Sequence, residues 1–64
     1  MAITMRAARI NAGLTQKEAA EKLEISRNAL TNYENGKSVP KVDLAKRMAK
    51  LYGFPINDII FFNE

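Results

Sequence analysis

The sequence predicts an all-α fold: a compact bundle of five short helices in a single domain covering residues 1–64. Three observations predict it. Ala, Lys, Glu, Leu and Arg, all good helix formers, dominate as far as residue 52, with β-branched residues scattered among them. No alternation of apolar and polar residues at period two marks a sheet. Gly13, Gly36 and Gly53 each follow an apolar-periodic stretch, where a left-handed helix end is expected.

The first helix is expected from Thr4 to Ala12, closed by Gly13. The second starts at Thr15, with Glu18 three residues on. That spacing is a capping box, in which the hydroxyl takes one free amide and the carboxylate reaches back to another. It runs to Leu23. The third takes Ser26 as its N-cap, ends at Glu34 or Asn35 and is closed by Gly36. The fourth follows Pro40 and ends near Tyr52, before Gly53. The fifth is short, Pro55 to Phe61, and tolerates proline in its first turn because the missing N–H has no partner there. Helical spacing assigns the core to Met5, Ala8 and Ala12 with Leu14 beyond them, then Ala19, Ala20 and Leu23, then Ile25, Leu30 and Tyr33. Val42, Ala45, Met48, Ala49 and Tyr52 continue it, and Phe54, Ile56, Ile59 and Ile60 close it. Ala20 is small enough to let two helices cross closely. No internal repeat, low-complexity segment or linker interrupts the chain.

Composition narrows the function. A chain of 64 residues holds one core. There is no cysteine and no histidine, which removes disulfides, thiolate metal sites, the thiol nucleophile and the commonest general base together. The carboxylates lack calcium-loop spacing, so no metal and no cofactor is expected. Glu18, Glu21 and Glu24 read as a helix surface paired with Lys17 and Lys22 rather than as paired catalytic acids, so an enzyme is not expected. No apolar run reaches the ~20 residues of a membrane span, and Met1–Arg9 lacks the apolar stretch of a secretory leader. A cytoplasmic location is expected. The net charge of +3 suggests a polyanionic partner.

The third helix carries the sharper signal. At about 100° per residue, Arg27, Asn28, Thr31 and Asn32 share an arc of roughly 140°, while Ala29, Leu30 and Tyr33 fall on the other side. No carboxylate interrupts the polar arc, and Glu34 lies outside it. A guanidinium can donate to guanine O6 and N7, an asparagine amide can pair with adenine, and threonine offers a hydroxyl and a methyl. A solvated helix surface is the plain alternative, though Glu or Lys would serve it better than two asparagines.

Leu14-Thr15-Gln16-Lys17-Glu18-Ala19-Ala20, then Ile25-Ser26, then Tyr33-Glu34-Asn35-Gly36-Lys37, then Pro40 stand at spacings that resemble the lambda-repressor-like family, the Cro and phage-repressor group of helix-turn-helix regulators. The resemblance covers Met5 to Phe61. It implies that helices two and three form the helix-turn-helix, residues 15–35, and that the protein regulates transcription, as a repressor, by reading the major groove of double-stranded DNA with helix three. Arg27, Asn28 and Asn32 match the base-reading positions, with Thr31 between them. Gln16 matches a glutamine that meets a backbone phosphate and braces Arg27, and Lys17 beside it is assigned to the backbone as well. Asn35, Lys37 and Lys41 match the loop that follows the backbone, Lys41 approaching the minor groove. Arg9 and Glu34 match a buried structural ion pair. Arg6 is left as either a phosphate contact or a solvated residue. Two departures stand out. Glu24 occupies the tight turn where the family often has glycine, and Pro55 replaces a serine-like cap.

The family places two copies on two half-sites, so a palindromic operator and a homodimer, formed at least on DNA, are expected. The apolar end Ile59-Ile60-Phe61-Phe62 makes Phe61 and Phe62 candidates for that interface. No small-molecule ligand is indicated. A partner-binding module that has lost DNA would carry acidic substitutions at Lys37 or Lys41, which are absent. An RNA binder would expose stacking aromatics.

Overall fold

Local caps account for the helices seen in the computed structural model, which describes residues 2–61. Thr4 is the N-cap of α1 (Met5–Asn11), its hydroxyl accepting from the Ala7 amide at 3.1 Å. In α2 (Gln16–Leu23) the capping box is complete: the Glu18 amide donates to Thr15 Oγ1 at 3.1 Å, and the Thr15 amide donates to Glu18 Oε1 at 2.9 Å. The Thr15 backbone amide first, and the Thr15 hydroxyl after it, hold the Glu18 carboxyl below the ordinary glutamate range, and Lys22 adds to the effect. Ser26 caps α3 (Arg27–Glu34) by accepting from the Ala29 amide at 3.0 Å. The fourth helix, α4 (Val42–Tyr52), follows the buried Pro40 and starts at Lys41 without a side-chain cap.

All four helices stop at a left-handed residue: Gly13, Glu24, Gly36 and Gly53. At the end of α3 the pattern is a Schellman turn. The Lys37 amide reaches the Asn32 carbonyl at 2.9 Å and the Gly36 amide reaches the Tyr33 carbonyl at 3.2 Å. Only Glu24 lacks the glycine that makes such a turn strain-free.

The fifth helix expected over Pro55–Phe61 does not form. A single 3₁₀ turn, Ile56–Asp58, is followed by a two-residue strand, β2 (Ile59–Ile60). It pairs in parallel with β1 (Ile3–Thr4), Ile3 opposite Ile59 and Thr4 opposite Ile60. Three isoleucines in a seven-residue segment resist helix nucleation and suit extended backbone, and β1 offers the carbonyls and amides that an isolated turn would leave unpaired. The architecture is therefore four helices with a small clasp of two strands joining the ends of the described segment.

The core gathers Met5 and Ala8 of α1, Ala19, Ala20 and Leu23 of α2, Leu30 of α3, Met48, Ala49 and Tyr52 of α4, and Ile59 of β2. Leu23, Leu30 and Met48 are its largest fully buried members, and Ala8 and Ala19 lose all exposure where backbones approach. Three residues expected inside lie outside. Ile60 is 40% exposed because successive residues of a strand face opposite ways and Ile59 takes the inner side. Ala12 is exposed because α1 ends at Asn11, ahead of it. Val42 is 66% exposed because it opens α4 on the solvent side, where the core stripe has not yet begun. No helix among the described residues is long and apolar enough to cross a membrane.

Candidate nucleic-acid interface

The turn between α2 and α3 is three residues, Glu24, Ile25 and Ser26, and it is tightly specified. The Glu24 amide bonds the Glu21 carbonyl at 3.2 Å and the Ile25 amide bonds the Ala20 carbonyl at 3.0 Å. Glu24 takes φ 59° and ψ 40°, a left-handed conformation costing a side-chain-bearing residue about 1–2 kcal/mol. Arg47 of α4 braces the same corner, donating from Nη2 to the Leu23 carbonyl at 2.7 Å. Its 3.5 Å contact with Glu24 Oε1 is solvent-exposed and contributes little. Ile25, packed partly against the core, fixes the angle at which α3 leaves.

Leu30 anchors α3 inward with no exposure at all, and Tyr33 packs partly against the core beside it. The opposite side is open. Arg27 and Asn28 are exposed, and Thr31 and Asn32 are half-buried. Among the described residues no hydrogen bond or ion pair engages the side chains of Arg27, Asn28 or Asn32. Thr31 differs: its hydroxyl donates to the Arg27 carbonyl at 3.0 Å. Its proton is therefore committed, leaving Oγ1 as an acceptor and the methyl group as a contact surface.

The inner end of α3 is a polar cluster around Glu34, whose side chain has no exposure. Arg9 Nε donates to Glu34 Oε2 at 2.7 Å, Arg9 Nη2 lies 3.4 Å from Oε1, and Arg9 Nη1 donates to the Leu14 carbonyl at 2.9 Å. Arg9 thus ties α1 both to α3 and to the segment leading into α2. Gln16, the first residue of α2, donates from Nε2 to Glu34 Oε1 at 3.1 Å. Its amide is turned toward Glu34 in this structure. Arg6 also joins: its Nε lies 3.6 Å from Glu34 Oε1 and its Nη2 donates to Asn35 Oδ1 at 3.2 Å. Tyr52 lies beneath this cluster at 4% exposure, and its hydroxyl finds no hydrogen-bond partner among the described residues. Burial chiefly, and the Glu34 charge secondarily, push its pKa up to about 12, while Arg9 pulls the other way.

The remaining residues singled out in the sequence lie around the open face. Lys17 is exposed on α2, and Asn35, Lys37 and Lys41 are exposed on the loop between α3 and α4. Phe61 is half-buried and packs on the core, and Phe62 lies outside the described residues. Sequence reading did not find the bridging geometry of Arg6, the Arg47 brace or the orphaned Tyr52 hydroxyl. A long cation has no periodic signature, and a tyrosine in an apolar stripe reads as core whatever its hydroxyl does.

Comparison with known proteins agrees with this fold. A helix-turn-helix family model matches residues 5–59. The chain is 48% identical over 48 residues to the HTH-type transcriptional regulator ImmR of Bacillus subtilis, covering 75% of this chain and 38% of that protein. It is 32% identical over 60 residues to the cryptic phage CTXphi transcriptional repressor RstR of Vibrio cholerae, covering 94% and 54%. An uncharacterized HTH-type transcriptional regulator of Methanocaldococcus jannaschii, MJ0272, is 39% identical over 51 residues, covering 80% and 77%. The chain thus spans about half of RstR and little more than a third of ImmR.

Proposed function

Because the chain belongs to the helix-turn-helix family of the lambda-repressor-like kind, we propose that it binds double-stranded DNA sequence-specifically and regulates transcription, as a repressor, reading the major groove with α3. One observation carries the reading of the groove. Arg27 and Asn28 stand exposed and uncommitted on a helix whose other side is sealed by Leu30. A surface helix selected only for solubility has no need of that pairing of amide and guanidinium without a carboxylate beside it.

Affinity and register come from the backbone contacts, and sequence choice from the helix. Lys37 and Lys41 supply charge along the loop after α3, and Lys17 supplies it at the start of α2. The capping box engages the amides of Thr15 and Glu18, leaving those of Gln16 and Lys17 for a phosphate oxygen at a helix N-terminus. Asn28 and Asn32 favour adenine and Arg27 favours guanine. Thr31, with its proton spent on the backbone, contributes its methyl group to a thymine contact. Repression is the sign carried by the name of RstR. Acting on DNA places the protein in the cytoplasm.

A palindromic operator bound by two copies fits the size of the molecule. Its extents are 26 × 23 × 19 Å, all below the separation of about 34 Å between half-sites one turn apart. Two copies then meet only at their margins, so pairing is weak in solution and completed on DNA. Phe61 and Phe62 are the residues assigned to that margin, and sedimentation of Phe62→Asp with and without duplex checks them.

The decisive experiment is selection of bound duplexes from a random pool. It is expected to return two related half-sites separated by one helical turn. Failure to enrich any duplex above the unselected pool would overturn the proposal.

A further inference from the structure

We infer that Arg6 is a positioning residue for the backbone contact: it holds the Asn35 side chain with the carbonyl oxygen inward and the NH₂ group turned out. The inference rests on the reading of Asn35 as a DNA-backbone residue.

A guanidinium has donors only, and a carboxylate has acceptors only. The neighbours of an amide therefore decide which way it faces. Asn35 meets Arg6 Nη2 at 3.2 Å, so the atom facing inward is Oδ1. Gln16 meets the Glu34 carboxylate at 3.1 Å, so the atom facing inward there is Nε2. The two amides are set in opposite senses by one cluster. Asn35 turns two N–H groups outward, and a phosphate oxygen can only accept.

Arg6 is suited to the task because it is itself held. Its Nε lies 3.6 Å from Glu34 Oε1, and that carboxylate is buried and fixed by Arg9 at 2.7 Å. The backbone under Asn35 is fixed as well: its amide bonds the Thr31 carbonyl at 2.9 Å, and the Schellman turn at Gly36 follows at once. The freedom left to Asn35 is that of its side chain, and Arg6 removes it. Charge points the same way. One carboxylate faces two guanidinium groups, so the cluster carries a surplus positive charge, and the half-exposed member is Arg6, beside Asn35.

The test is a double-mutant cycle of Arg6→Met and Asn35→Ala, read by duplex affinity over a series of salt concentrations, with thermal unfolding recorded to confirm that each variant is folded at the assay temperature. Arg6→Met is expected to weaken binding about 2- to 10-fold, the range for losing one pre-ordered side chain, with the salt slope unchanged. In the Asn35→Ala background the same change is expected to cost nothing further. Losses that multiply, or a salt slope lowered by about one on Arg6→Met, would make Arg6 a phosphate contact in its own right and overturn the inference. A second readout needs no DNA. The Asn35 side-chain NH₂ group in the free protein is expected to be rigid by NMR relaxation and to become mobile in Arg6→Met. Equal mobility in both overturns the inference even if the parent binds DNA tightly. A rigid amide in a parent that binds no duplex removes the DNA reading while leaving the positioning contact intact.

Discussion

The two ends of α3 treat their polar groups in opposite ways. At its C-terminal end the Glu34 side chain is wrapped by Arg9, Gln16 and Arg6 and has no exposure. On its outer face Arg27 and Asn28, the first two residues of the same helix, make no side-chain bond within the described residues. The difference follows from solvent. A buried charge left unpaired is costly, so the inner end must be saturated, whereas an exposed donor is satisfied by water and can exchange it for a ligand. Saturation marks what holds the helix in place, and vacancy marks what it offers.

The strongest way to break this contrast is to make the inner end behave like the outer one. Glu34→Gln leaves the Arg9 charge buried without its counter-ion and is expected to cost about 3–5 kcal/mol of stability by urea denaturation. A silent substitution would show that the cluster does not hold α3. The converse change, Arg27→Ala, is expected to leave the urea midpoint alone and to lose about 1–3 kcal/mol of binding at one base pair only. Gel-shift titration against matched and singly mismatched duplexes checks it, and equal losses on every duplex would cancel the base-reading role. Smaller again is the effect at the turn that presents α3. Glu24→Gly relieves the left-handed strain and is expected to raise stability by roughly 1 kcal/mol, the exposed Arg47 contact being a minor loss.

The effect that is smallest at neutral pH concerns Tyr52, whose buried hydroxyl finds no hydrogen-bond partner among the described residues. Its raised pKa means that the folded protein keeps a proton which the unfolded chain releases near the ordinary value of 10. Stability is therefore expected to fall as pH rises from about 10 toward about 12. Tyr52→Phe should remove that component of the alkaline transition while leaving neutral-pH stability unchanged or slightly raised, since the buried hydroxyl makes no bond to offset its desolvation. Matched denaturation curves across that range check it.

What the sequence disclosed was local. Thr15 with Glu18, Ser26, and the glycines at 13, 36 and 53 act within one turn of where they stand, and the helix boundaries they mark are those observed to within a residue. The polar arc of α3 was legible for the same reason, as a periodicity inside eight residues. The segment after Pro55 was not, because its conformation is decided by pairing with Ile3–Thr4 at the far end of the chain. The Arg9–Glu34 pair was reached through family resemblance, since nothing in either residue's surroundings points to the other across 25 positions. Arg6 and Arg47 lay beyond both routes: their partners are backbone and side-chain oxygens that only the folded arrangement brings within reach.

That clasp also orders events in time. Ile3 and Ile59 are far apart in the chain, so joining them closes nearly the whole described segment into a ring, and such long-range closure is slow relative to helix growth. The four helices are then the early structure and the strand pair the final latch. Two residues a side make it a weak latch, and the amides of β2 should surrender their hydrogens to deuterium while those around Leu23 and Leu30 still hold theirs.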